Sequence, residues 1–219
     1  TLHTEVGDMF NPAGNGIWRC LQGDLQIAIE HNANVLGEAH VSLRRKLNVC
    51  LSPGMLVCFL HRMAHGLWRH DLRLFARVVA GINALVHHIE IHPACQIGPG
   101  LYVPHPAGIS MRCHAAGNLV VLAGACLDSG QSEPERWPAL GHDVWVASRA
   151  LVVGEVSIGD RTRIGPGTVV RNSVGSGMKV LARGVVAAAE FLLTIGVRTR
   201  ARLLDNAEFL AKRDHFAFF

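Results

Sequence analysis

An apolar residue recurs at every sixth position through the middle of the chain. It stands at Ile91, Ile97, Val103 and Ile109, and again at Leu140, Val146, Val152, Ile158, Ile164 and Val170. Val121 and Leu127 keep the spacing between the two runs. Glycine often follows the beat, as in Ile97-Gly98, Leu140-Gly141, Ile158-Gly159 and Ile164-Gly165. A period of six holds no single face of an α-helix. It fits one short strand and one tight turn per unit, with three units closing a coil of about eighteen residues. The beat residue then points inward and stacks on its copies in neighbouring coils, as in a parallel β-helix.

The first 88 residues follow a helical spacing instead. Helices are expected over 17–31, 42–51, 55–68 and 71–88. Trp18, Leu21, Leu25, Ile27 and Ile29 supply apolar contacts on the first. Met55, Leu56, Phe59, Met63, Leu67 and Trp68 form the apolar face of the third, with His61, Arg62 and His65 on its other face. The repeat is broken once, over 128–138, where D-S-G-Q-S-E-P-E-R-W-P has no beat and is rich in turn formers. That segment reads as a loop thrown out of a coil. After Val170 the pattern decays, and residues 187–219 have helical composition. The expected fold is therefore α+β: a helical N-terminal domain over 1–88, a β-helix over 89–184, and a C-terminal helical cap or tail over 185–219.

Composition changes this picture little. Of 219 residues, 49% are hydrophobic and 17% charged, which suits a chain that buries much of itself. The formal net charge of +4 is too small to indicate nucleic acid, though it suits an anionic ligand. Six cysteines include no C-x-x-C pair, so zinc and thioredoxin-type readings find no support. They read as reduced thiols of a cytoplasmic protein. No signal peptide is expected, and the longest apolar stretches are too short or too broken to span a bilayer.

The candidate chemistry lies at the start of the repeat. Glu90 precedes His105 by fifteen residues. With about eighteen residues per coil, the two fall on neighbouring or facing levels. A carboxylate on one imidazole nitrogen fixes the tautomer and frees the other nitrogen to take a proton. Spacing alone leaves open a pair of surface side chains that never meet. His87, His88 and His92 lie nearby, but their spacing suits no ligand set, and no metal is expected.

The stretch E-I-H-P-A-C-Q-I-G-P-G-L-Y-V-P-H-P-A-G, Glu90 to Gly108, resembles the D-I-H-P-x-x-x-I-G-x-G-x-x-x-D-H-A-T-G signature of the serine O-acetyltransferases, members of the left-handed β-helix hexapeptide acyltransferase superfamily. His61-Arg62-Met63-Ala64-His65-Gly66-Leu67-Trp68 is similar to the family's Y-R-x-x-H-x-L-W segment, and Pro134 to Pro138 aligns with its D-R-H-P loop. The resemblance covers roughly Met55 to Val170. It implies a left-handed coil and direct attack of a hydroxyl on acetyl-CoA, with no acyl-enzyme. It places His105 as general base and Glu90 as its carboxylate. Arg136 matches the arginine that holds the substrate carboxylate, beside Trp137 and Pro104. Ser129, Ala147, Ser148, Arg163, Gly165, Pro166 and Gly167 fall where the family binds CoA, in a groove between solenoids of a homotrimer or a pair of trimers.

The departures from the family pattern concern mainly the acceptor and the donor groove. Pro104 replaces an aspartate that helps hold serine, and Trp137 replaces a histidine, which predicts a broad apolar wall in the acceptor pocket. Asp128 and Ser129 replace a Gly-Gly pair near the donor's thiol end, and Arg149 replaces a groove glycine. The coil after Gly108 is shorter than the family's. Glu at position 90 replaces Asp, keeping the charge. The reading is a CoA-dependent O-acyltransferase, most simply an O-acetyltransferase acting on serine or a serine-like small acceptor. The alternatives are a less polar or carrier-bound acceptor in a specialised pathway, or a non-catalytic oligomeric relative. A γ-type carbonic anhydrase would need three zinc histidines that cannot be placed. Docking to a sulfhydrylase is not carried over, because the chain ends in Phe219 where the family tail ends in isoleucine. Neither nucleic acid nor membrane is expected as a partner.

Overall fold

The computed structural model describes residues 16–36, 42–131, 133–182 and 184–187. Four helices come first: α1 Ile17–Leu36, α2 Leu43–Cys50, α3 Pro53–Arg69 and α4 Arg73–His87. The third starts two residues before its expected start. Pro53 supplies a preset first turn and Ser52 Oγ accepts from the Met55 N–H at 3.4 Å. The fourth stops where His88 turns left-handed, at φ 55°. No single described helix is long and apolar enough to cross a membrane.

Short strands follow: β1 Ile89–Ile91, β2 Leu101–Tyr102, β3 Ile109–Met111, β4 His114–Gly117, β5 Leu119–Val121, β6 Cys126–Asp128 and β7 Ala139–His142. Then come β8 Trp145–Val146, β9 Leu151–Val153, β10 Ser157–Ile158, β11 Arg163–Ile164, β12 Val169–Val170, β13 Met178–Leu181 and β14 Gly184–Ala187. They form three sheets, ordered β1-β3-β6-β9-β12, β10-β7-β4 and β14-β13-β11-β8-β5-β2. The chain visits the three sheets in rotation, and every pair except β13–β14 is parallel. Isolated bridges Ile97–Ala115 and Ile158–Val174 extend the three-stranded sheet at both ends.

All twelve beat residues are buried, none above 5% exposed. Burying each such aliphatic side chain stabilises the fold by about 1.5–3 kcal/mol. The columns they form differ from strict period six at two places. In the five-stranded sheet the column runs Ile91, Met111, Leu127, Val152, Val170, so Met111 rather than Ile109 continues it. In the three-stranded sheet Ala115 fills the place between Ile97 and Leu140.

Corner lengths explain the slip. From Tyr102 to Met111 the chain takes nine residues, against seven from Val120 to Leu127. Two extra residues therefore lie on the corner that carries His105. The next corner is shortened: Met111 to Ala115 takes four residues, against six from Val152 to Ile158. The turn of coil from Met111 to Leu127 therefore takes sixteen residues, against eighteen from Val152 to Val170. The loop before β7 is the long insertion, and it packs down: Trp137 and Pro138 are both buried.

The helices differ from expectation in which side faces inward. On α3 the buried residues include His61 and Arg62, while Leu56, Phe59 and Met63 are exposed. On α4 Ala76 and Asn83 are buried, while Leu74, Phe75, Val78, Ile82 and Leu85 are exposed. Trp18 on α1 is 77% exposed. A buried ion pair sets the orientation of α3. Arg62 Nε and Nη2 donate to the two carboxylate oxygens of Asp24 at 3.0 and 2.9 Å. The same guanidinium donates to the carbonyls of Ile97 and Gly98. Asp24 Oδ1 also accepts from the Gly100 and Leu101 N–H groups. One pair thus ties α1, α3 and the first coil together. Gly54 permits a close approach nearby, since a Cβ there would lie 2.2 Å from the Val103 carbonyl oxygen.

The expected C-terminal helical cap starts differently. Residues 184–187 form a strand that pairs antiparallel with β13, which closes that sheet's open edge. The rest of the expected cap, from residue 188 to Phe219, lies outside the described residues.

Candidate active site

One edge of the coil gathers most of the expected site. The corners that lead from the six-stranded sheet into the five-stranded sheet stack on each other. Backbone bonds stitch them: Gly108 N–H to His88 O at 2.8 Å, Gly124 N–H to Ala107 O at 2.9 Å, Arg149 N–H to Ala123 O at 3.0 Å and Gly167 N–H to Ser148 O at 3.0 Å. Gly108, Gly124 and Gly167 take positive φ, and Arg149 does too, at 58°, in place of the glycine that the turn prefers. His105 stands exposed on the first long corner of this edge. Ala147 and Ser148, then Gly165, Pro166 and Gly167, lie on corners further along it. Ala147 and Gly165 have buried side-chain positions, whereas Ser148 is half-buried and Pro166 and Gly167 are exposed.

Glu90 sits two residues past His88, beside the same corner, and is exposed. In the five-stranded sheet it stands opposite Ser110. Among the described residues, Glu90 and His105 share this edge without a hydrogen bond between them.

The outer face of the five-stranded sheet carries two rows next to this edge. Glu90, Ser110 and Cys126 form one, and His92, Arg112 and Asp128 form the next, two residues further along their strands. Sequence reasoning passed over Ser110 and Arg112, because they fall between beat positions where the repeat says nothing about identity. Arg112 Nη1 lies 3.8 Å from Asp128 Oδ2. Burial and Asp128 both push the Cys126 thiol up, so it is a poor candidate for a thiolate nucleophile.

Trp137 is 3% exposed and does not form an open wall. It stacks on His114 with ring centroids 5.7 Å apart and meets the His92 ring edge-on at 5.0 Å. Trp68 closes on the other side of His92 at 5.3 Å. The Trp137 Nε1–H donates to Gln131 O. His114 Nδ1 accepts from the Gln96 N–H, so its Nε2–H donates to Pro134 O at 2.9 Å. His92 Nδ1 accepts from the Ala94 N–H. Burial pushes both imidazoles down, and for His92 the Arg112 and Arg77 charges add to this. These histidines are neutral packing groups that hold the loop against the first coils.

The remaining expected residues scatter. Arg136 is exposed, and its Nε donates to Glu155 at 3.3 Å. Pro104 is half-buried on the His105 corner, and Ser129 is half-buried at the start of the loop, where its Oγ accepts from the Gln131 N–H. Arg163 lies on the outer face of the six-stranded sheet, with its guanidinium 5.6 Å from the Trp145 ring centroid. Among the described residues, no three or more His, Cys, Asp or Glu are grouped to hold a metal ion.

A serine acetyltransferase of Staphylococcus xylosus is 31% identical over 152 residues, 68% of this chain and 70% of that protein. The chain belongs to the serine acetyltransferase family. A serine acetyltransferase of Synechococcus elongatus is 30% identical over 156 residues, 67% of this chain. The match spans 62% of that relative's length. The structure of a soybean serine acetyltransferase complexed with serine superposes with a TM-score of 0.66 at 28% identity, over 76% of this chain and 67% of that one. No protein-family model matches this chain.

Proposed function

We propose that this chain moves the acetyl group of acetyl-CoA to the hydroxyl of serine or a serine-like small acceptor. The observation that carries this reading is the shared edge. His105 stands at its head, Glu90 flanks the same corner, and small residues at Gly124, Ser148 and Gly167 line much of its length, with the Arg149 side chain lying beside Gly124. Small side chains let an extended pantetheine arm lie close to backbone, and the thioester then reaches His105. A left-handed coil and a second copy of the chain closing the groove complete this picture. The resident of the soybean structure, serine, supports an amino-acid acceptor. Free cysteines, two of them wholly buried in the repeat at Cys95 and Cys113, support a cytoplasmic setting.

The chemistry needs one base. His105 takes the acceptor's hydroxyl proton while the oxygen attacks the thioester carbon. The C–O bond forms and the C–S bond breaks. The imidazolium, steadied by Glu90, returns its proton to the leaving sulfur. The raised Cys126 thiol supports direct attack over a covalent intermediate on this face. The half-buried Pro104, where the family pattern has a polar acceptor contact, favours as a second reading a less polar or carrier-bound acceptor.

Replacing His105 with Ala tests the reading. Release of free thiol from acetyl-CoA in the presence of L-serine should fall by about 10²–10⁴-fold, with CoA binding retained in calorimetry. Turnover at the unaltered rate would reject the role of His105.

A further inference from the structure

We propose that Arg112 and Asp128 form the dock for the acceptor's charged ends, with the carboxylate on Arg112 and the ammonium on Asp128. This rests on the acetyl-transfer reading above. Three observations carry it.

The first is position. Ile91, Met111 and Leu127 stack in one column, so Arg112 and Asp128 share the outer row beside Glu90 and Ser110. Two residues of strand separate Ser110 from Arg112, about 7 Å. An extended arginine side chain is long enough to span that distance. The loop that follows Asp128 packs against this row, where Trp137 meets the His92 ring at 5.0 Å.

The second is availability. Arg112 and Asp128 approach only to 3.8 Å, too far for a hydrogen bond, and their side chains are 46% and 26% exposed. Each keeps bonding capacity for a ligand. The Arg62–Asp24 pair shows the contrast, being short, multiply bonded and buried. Arg136, the arginine that the sequence pattern points to, donates through Nε to Glu155 at 3.3 Å and serves as the control in the test below.

The third is preorganisation. Asp128 Oδ1 accepts from the Gly130 N–H at 2.9 Å, which leaves Oδ2 towards Arg112. The neighbouring His92 is kept neutral by burial, so it neither repels an ammonium nor competes for a carboxylate. A cation and an anion side by side match the two ends of an α-amino acid, and a guanidinium takes a carboxylate with two parallel bonds.

The experiment crosses variants with acceptors. Thiol release from acetyl-CoA is followed with L-serine, with L-serinamide, which lacks the carboxylate, and with 3-hydroxypropionate, which lacks the amine. Arg112→Gln should raise the KM for L-serine by about tenfold or more and leave the KM for L-serinamide where it stood. Asp128→Asn should raise the KM for both amines and spare 3-hydroxypropionate. Arg112→Lys, which keeps the charge but not the fork, should recover part of the loss. Equal effects on all three acceptors, or none on any, overturn the dock. The same pattern appearing in Arg136→Gln instead also overturns it. Should the unaltered protein turn over none of the three, the acetyl-transfer reading fails by itself. Calorimetry with L-serine then decides the dock: binding lost in Arg112→Gln keeps it, and no binding to the unaltered protein removes it.

Discussion

The helices bury a mixed surface where the coil buries an apolar one. In the coil, the apolar beat points inward and the polar residues point out. In α3 and α4, apolar residues such as Val57, Cys58 and Ala76 share the inward side with Arg62, His61 and Asn83, while much of the apolar stripe points out. A periodic pattern therefore reports that a segment has two faces, but not which face the fold will use. The coil's direction is forced, because its interior admits only what stacks. The helices' direction is chosen by a long-range ion pair between Asp24 and Arg62.

Removing that ion pair should break the comparison most severely. Arg62→Ala leaves Asp24 buried without its partner and should cost about 3–5 kcal/mol in urea unfolding, with α1 and α3 losing their hold on the first coil. A loss below about 1 kcal/mol would mean that something else orients α3.

Next in size is the coil's interior. Leu140→Ala, at a fully buried beat position, should cost about 2–5 kcal/mol. The same melt should keep its single transition if the coil and helices unfold together.

Acid should act on the helix–coil junction. Burial pushes His61 well down from its usual 6.5, with the Arg62 charge adding to this, and neither of its ring nitrogens has a partner. The unfolded chain thus binds a proton below pH 6.5 that the folded chain refuses. Stability is complete above that pH and falls as pH drops, by up to about 1.4 kcal/mol per pH unit for this group alone. His65, His92 and His114 are also shifted down by burial and steepen the fall. Unfolding free energies that stay level from pH 7 to pH 5 would contradict this. His61→Phe should flatten part of the slope.

The smallest effect should come from the outward stripe. Leu85→Ser, at a position 80% exposed, should change monomer stability by no more than about 0.5 kcal/mol. A larger, concentration-dependent change in melting would show that a partner covers α4.

Much of this architecture could be read before any coordinates. The beat placed one inward residue on most strands except where corners change length, but it did not mark other buried residues such as Leu101, Leu119 and Val144. Met111 and Ala115 were missed at those corners, one displaced by two extra residues on the His105 corner, the other small enough to pass as a spacer. The candidate site was legible as a set of positions: His105, Ser148 and Gly167 do lie on one edge. It was not legible as a set of contacts. The stack that hides Trp137 involves His92, His114 and Trp68, which are far apart in sequence. The Arg136–Glu155 bond depends on how the loop folds back over the later coils. Arg112 gave no sign, because an arginine between beats resembles any solvated surface residue.

The reversed final strand has a bearing on how many molecules join. Parallel stacks of this kind could in principle grow end to end, each copy extending the last one's ladder into a fibre. Where β14 runs against β13, an incoming coil would meet an edge pointing the wrong way and could not keep its interior in step. Among the described residues, that one sheet thereby carries a stop against end-to-end growth.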